Sequence, residues 1–245
     1  MPSSAAHVEE RPERARSAAW WALAVTALMG MGARLPWPQA SGTAVTLVFF
    51  GAVWLAVWRR SDAVVREHGL ALGGLMGSQA DGESAVAKAW ARALGWALAM
   101  SCVVLLPFAL LWRPVVLRLG WPGLHAFALH RSSAEWAALL ATQLLVVALA
   151  EEAFYRGVLQ TRFERSFPHG LALAGGVISV GNVLTSVMFA LGHVATRTDP
   201  VHLLVFFPSL LFGWLRTRTK GIEAGMLFHA FCNMLSAMLF EGFLG

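Results

Sequence analysis

The sequence predicts an all-α, polytopic transmembrane helical bundle of about seven spans (six to eight), and three observations carry that reading. Charged residues make up only 13% of the 245 and hydrophobic residues 57%, whereas soluble domains carry about 25% charged residues. The apolar residues gather in seven runs, 17–33, 43–58, 90–112, 134–158, 171–193, 201–215 and 222–243, most of them close to the ~20 residues a spanning helix needs. The basic residues sit at the ends of those runs rather than in one patch, as membrane topology requires.

Each element follows in chain order. Residues 1–16 form a polar, arginine-bearing tail, and no small-residue cleavage site follows the run 17–33. That run therefore reads as a signal anchor and first span, not as a removed signal peptide. The run 43–58 is short and closes on Arg59 and Arg60. "SDAVVREHGLALGGLMGSQADGESAVAK" (61–88) is the longest polar connection, and its glycines and serines mark a mobile loop. After 90–112, "WRPVVLRLGWPGLHAFALHR" (112–131) mixes Trp, Pro, Arg and His, as interfacial segments do. The run 134–158 holds two adjacent carboxylates, Glu151 and Glu152. Within 171–193, "AGG" at 174–176 lets the crossing start near Val177, with 166–176 along the interface. The runs 201–215 and 222–243 follow, the former short. The chain thus divides into a polar cytoplasmic tail (1–16), N-terminal transmembrane helices and loops (17–133) and a C-terminal helical core (134–245).

With the N-terminus cytoplasmic, 14 of the 19 Lys and Arg residues fall on the inner side, so the positive-inside bias predicts N-terminus in and C-terminus out. The location expected is the inner (plasma) membrane, as a multi-pass protein, with the lipid bilayer as its first partner. The net charge of +5 does not point to nucleic acid, because the cations are dispersed among span ends. Cys102 and Cys232 both lie in apolar runs, which argues against a disulfide framework. Arginine outnumbers lysine 17 to 2, a usage that hints at a GC-rich bacterial genome.

The carboxylates need an explanation. An acidic residue near a helix centre costs about 2.5–3.5 kcal/mol on the insertion scale, and each Leu or Val returns only about 0.3–0.6. The aliphatic residues of 139–149 cannot offset two ionised glutamates facing lipid. Glu151 and Glu152 must therefore face the bundle interior, pair, or hold a proton, and such residues are functional candidates. Arg156 lies four residues after Glu152, the favourable order for a helical ion pair. Glu151 projects about 100° away and is less easily satisfied by that arginine. A pair with one member neutralised and the other desolvated is a route to a general base. The alternative is a helix end at which both acids and Arg156 reach into water. Two later runs add polar groups at helical spacing: His193 ends "NVLTSVMFALGH" one turn after Phe189, and His229 precedes Asn233 by four in "GIEAGMLFHAFCNML". His7, His68, His125, His130, His169 and His202 lie in loops or at span edges and receive no role.

Taken together, "EEAFYRG" from Glu151, "FALGH" ending at His193 and "HAFCN" from His229 to Asn233 form three ordered motifs. They resemble EExxxR, FxxxH and HxxxN of the CPBP (Abi, type II CAAX prenyl endopeptidase) family of glutamic intramembrane proteases. The resemblance covers about 134–243, and within the family the chain also resembles the myxosortase-like sorting proteases, which remove C-terminal membrane anchors. It implies that Glu151 takes a proton from water and that His193 helps hold that water. It further implies that His229 and Asn233 form the oxyanion site and that Glu152 and Arg156 orient Glu151. The implied partner is a membrane-anchored protein or peptide substrate, cut near its membrane-embedded or C-terminal end. Tyr155 stands where relatives often carry phenylalanine, and little effect is expected of it.

Rival readings use the same residues. Two histidines and a carboxylate can hold zinc, but HExxH is absent and the groups come from three helices, so no cofactor or metal is expected. A proton-coupled transporter would usually show repeats or broken helices, and no repeat is seen. A non-catalytic bacteriocin-immunity or assembly partner could keep the fold, yet every catalytic-type residue is intact. One tension stands: Glu151 and His229 fall at like depths near the inner ends of their runs. His193, at the far end of 171–193, falls near the outer surface if that run crosses in full.

Overall fold

The computed structural model describes residues 4–76, 83–120, 123–197 and 199–244. The chain is built from helices: α1 (Ser4–Gly32), α2 (Pro38–Val53), α3 (Asp62–Glu67), α4 (Glu83–Met100), α5 (Leu106–Arg118), α6 (Ser133–Thr142), α7 (Leu149–Glu152), α8 (Thr161–Ser166), α9 (Val180–Arg197), α10 (Phe206–Thr219) and α11 (Glu223–Leu244). A hairpin of β1 (Gly170–Leu173) and β2 (Gly176–Ser179) precedes α9. Several helices join end to end. A π-helical stretch over Ser101–Leu105 links α4 to α5, and two more, Gln143–Ala148 and Ala153–Gln160, join α6, α7 and α8 into one rod.

Among the described residues, five rods are long and apolar enough to cross a membrane: Ala40–Trp58, Ala85–Arg118, Ser133–Ser166, Pro200–Thr219 and Glu223–Leu244. The two other runs named by the sequence lie on α1 and α9 and are diluted by polar, small or indole side chains such as Trp20, Trp21, Asn182, Ser186 and His193. Leu110, Leu111, Phe108, Val103, Leu145 and Phe207 are exposed on the outside of the bundle. In a helical membrane protein that is the surface lipid covers, because every backbone group is already paired within its helix.

Local sequence explains the principal departures from expectation. The fourth span does not stop near residue 158 but continues to Ser166, since Gln160 and Glu164 are held inside the bundle rather than left to solvent. The fifth run does not cross from residue 171. It forms the antiparallel hairpin first, Gly170 opposite Ser179 and Leu173 opposite Gly176. Ala174 and Gly175, both at positive φ (46° and 79°), make its two-residue turn, the geometry that matches strand twist and that Gly adopts without strain. The connection 61–88 is only partly a loop: it holds α3, with Val65, His68 and Leu70 buried, while 77–82 lies outside the described residues.

The core surrounds the Ala153–Gln160 stretch. Phe154, Tyr155, Val158 and Leu159 pack with Phe49 of α2, Phe189 of α9, and Phe212 and Phe228 of α10 and α11. Phe154 and Tyr155 meet the Phe49 ring at 5.5 and 5.6 Å. The α6–α8 rod, α9 and α11, with α10 behind them, enclose the acidic pair.

Candidate active site

The two glutamates occupy the single α-helical turn of α7, between the two π-helical stretches. Such insertions widen a helix and recur at functional sites. They send the two carboxylates to different neighbours. Glu152 and Arg156 are fully buried, with Arg156 Nε 3.3 Å from Glu152 Oε2. Arg156 Nη2 donates to Ser209 Oγ of α10 at 2.5 Å. The guanidinium also lies over the Phe189 and Phe212 rings, 5.6 and 5.9 Å from their centroids. The other Glu152 oxygen, Oε1, meets His229 Nδ1 at 3.1 Å. One buried carboxylate therefore ties Arg156 to His229.

Glu151 stands differently. Its Oε2 is buried without a hydrogen-bond partner among the described residues, and it lies 3.8 Å from His229 Nε2 and 4.0 Å from His193 Nε2. Those distances are too long for direct hydrogen bonds and fit an intervening polar atom. Glu151 and His193 keep 15% and 23% of their side-chain surface accessible, so this side of the site opens outward while the Glu152–Arg156 side is sealed.

Both imidazoles are fixed by their other nitrogen. His193 Nδ1 bonds the Phe189 carbonyl at 3.0 Å, and the Phe189 ring lies against it, 4.5 Å between centroids. His229 stacks on Phe212 at 4.8 Å with ring planes 12° apart. A ring nitrogen held in this way leaves Nε2 to face the site. Asn233, one turn beyond His229, donates Nδ2 to Gln143 Oε1 at 2.8 Å.

The structure thus brings Glu151, Glu152, Arg156, His193 and His229 into one cluster, with Asn233 one turn further along α11. The depth conflict raised by the sequence disappears with the longer helix. Glu151 lies 15 residues before Ser166 and His193 lies 13 residues after Val180. Both therefore sit on the order of 20 Å from the hairpin end at ~1.5 Å per residue. Sequence reasoning missed Gln143, Ser209 and Phe212; for the first two the signal was a lone polar residue within an apolar run. Among the described residues no group of three His, Cys, Asp or Glu side chains is arranged to hold a metal ion.

Residues 133–235, about two fifths of the chain, match the family model of type II CAAX prenyl endopeptidase Rce1-like proteins. That segment is similar to the Rce1-like (type II CAAX prenyl endopeptidase, CPBP) family. Comparison with curated proteins and with solved structures gives no match. The match, with the five apolar rods, supports a CAAX-type intramembrane protease, a hydrolase family acting on membrane-anchored substrates in the lipid bilayer. The matched segment begins with α6 and ends within α11, so it spans EEAFYRG, FALGH and HAFCN.

Proposed function

We propose that the chain is a glutamic-type intramembrane endopeptidase in which Glu151 is the general base. The observation that supports this most is the free, buried Oε2 of Glu151 facing Nε2 of two imidazoles at 3.8 and 4.0 Å. A water in that gap gives up a proton to Glu151 as its oxygen attacks the scissile carbonyl carbon. His193 Nε2, set by the Nδ1 bond to Phe189, holds the water. A protonated His229 keeps Nδ1–H on Glu152 and offers Nε2–H to the developing oxyanion, and the Asn233 amide adds a second donor. Preorganised donors of this kind are the largest single contribution in many acyl transfers. The intermediate collapses by breaking the C–N bond, and the Glu151 carboxylic acid returns its proton to the leaving amine. Glu152 and Arg156 act through their hold on His229 and on the α7 turn.

The substrate class is a membrane-anchored protein cut near its membrane-embedded or C-terminal end, as a sorting protease that removes C-terminal anchors would do. The protein sits in the inner (plasma) membrane with its N-terminus cytoplasmic. The test uses detergent-purified protein and an internally quenched CAAX peptide in prenylated and unprenylated forms. Glu151→Gln is expected to abolish cleavage while membrane insertion and protein level stay unchanged. Processing retained by Glu151→Gln would remove the general-base assignment. A chelator should leave the wild-type rate intact, and loss of activity restored by zinc would replace the glutamic mechanism with a metal one.

A further inference from the structure

Two buried oxygens beside the site lack a protein hydrogen-bond partner among the described residues, and their residues lie four apart: Glu151 Oε2 and Tyr155 Oη. Residues at that spacing share a helix face. Tyr155 is 1% exposed, its ring set edge-on against Phe189 at 4.9 Å and against Phe49 at 5.6 Å. Phe189 in turn touches the His193 ring. The phenol tip reaches the backbone notch at Gly192, the residue before His193. A Cβ at that position would collide with Tyr155 Oη itself, whereas its other neighbours, Met29 Cε and Tyr155 Cζ, stand at 3.7 Å.

The aromatic cluster needs only the ring, and phenylalanine would supply it. A buried hydroxyl with no partner is costly, and buried polar groups in folded proteins are nearly always paired. The two unpaired groups are also complementary. An ionised carboxylate only accepts, whereas a phenol has a proton to donate. An internal water bound by several polar groups is the ordinary way to satisfy such a pair.

Against the little effect that the sequence predicts for Tyr155, we infer that it is a positioning residue, its hydroxyl fixing the free oxygen of Glu151 through one shared internal water. It acts on the reaction through Glu151, so the inference rests on Glu151 as the general base. The Gly192 notch holds the hydroxyl in place, and the glycine is there because any side chain would push the phenol out.

Tyr155→Phe keeps the packing and deletes one oxygen. With the prenylated CAAX peptide, kcat is expected to fall about tenfold, the value of one hydrogen bond, with KM unchanged and no rise in the thermal midpoint. Gly192→Ala is expected to give a like loss of kcat by displacing the phenol. In a Tyr155→Phe background the same change should add nothing, because the extra Cβ then has room. Unchanged kcat together with a raised midpoint in Tyr155→Phe would overturn the inference, since the hydroxyl would then be an unpaired burden. A wild type inert toward the peptide would instead strike the hydrolase reading. The midpoint would still decide this one: a rise on losing the hydroxyl overturns it, and a fall supports it.

Discussion

At the scale of single residues, Glu152 is shared between two partners on different helices, Arg156 within its own rod and His229 on α11. Its spacing from Arg156 was legible in the sequence, because four residues on a helix bring acid and base together. Its bond to His229 was not, because nothing local links positions 77 residues apart. Ser209 and Gln143 were illegible for the same reason: each looks like a stray polar residue until the fold places Arg156 or Asn233 against it. Removing one member of a fully buried ion pair leaves an uncompensated charge and costs about 3–5 kcal/mol. Glu152→Gln is therefore expected to lower the thermal midpoint sharply. The double variant Glu152→Leu with Arg156→Met should recover much of that loss without recovering activity, because His229 Nδ1 has lost its acceptor. Thermal unfolding in detergent, read beside peptide cleavage, separates the two effects. A double variant with wild-type turnover would show that the pair only supports the fold.

At the scale of the element, the apolar runs predicted where helices lie but not how they are wound or where they stop. The π-helical stretches on either side of α7 leave no mark in an aliphatic sequence, since Leu, Val and Ala suit either winding. The extension of the rod to Ser166 was hidden because the apolar run ends at 158 and the polar Gln160 and Glu164 lie beyond it. In the structure Glu152, Arg156, Gln160 and Glu164 recur every four positions and form a polar ridge turned inward. Gln160 bonds Glu164 and the Gly213 carbonyl, and Ser179 bonds Glu164. Gly157 lies on the same rod, where Leu70 of the N-terminal half packs directly over it. A Cβ there would stand 2.7 Å from Leu70 Cδ2 and 2.9 Å from Cγ, and Leu70 is fully buried. Gly157→Ala is expected to destabilise the protein by about 1–3 kcal/mol through overpacking. Leu70→Ala should be destabilising alone yet partly relieve Gly157→Ala, giving a non-additive cycle. Additive losses in thermal unfolding would mean that the two side chains do not compete for one space.

At the scale of the whole molecule, the family match begins at residue 133, and the residues before it interlock with those after it through a segment that reads as a loop. Glu67 Oε1 pairs with Arg165 Nη2 at 2.6 Å, and its carbonyl receives Arg216 Nη2 at 3.4 Å. The Gly69 carbonyl accepts Ile222 N at 3.2 Å, and Leu70 fills the space over Gly157. His68 is buried in the middle of this clasp, 4% exposed, with Nδ1 2.8 Å from the Val64 carbonyl. Burial holds the His68 imidazole below its ordinary value. The bond to Val64 and the charge of Glu67 pull the other way, and Arg165 and Arg162 add to the lowering. A histidine depressed on folding binds fewer protons folded than unfolded, so its contribution is complete above the unfolded value of about 6.5. It is lost as pH falls from there toward the folded value. Stability of the clasp should therefore rise with pH across that window, the opposite of a histidine that gains a carboxylate partner on folding. His68→Gln keeps a hydrogen-bonding side chain and removes the titration. Thermal midpoints from pH 7.5 down to about 5.5 are expected to fall in the wild type and to fall measurably less in His68→Gln. Parallel curves would assign the acid sensitivity to other groups and leave the clasp to its ion pair and to Leu70.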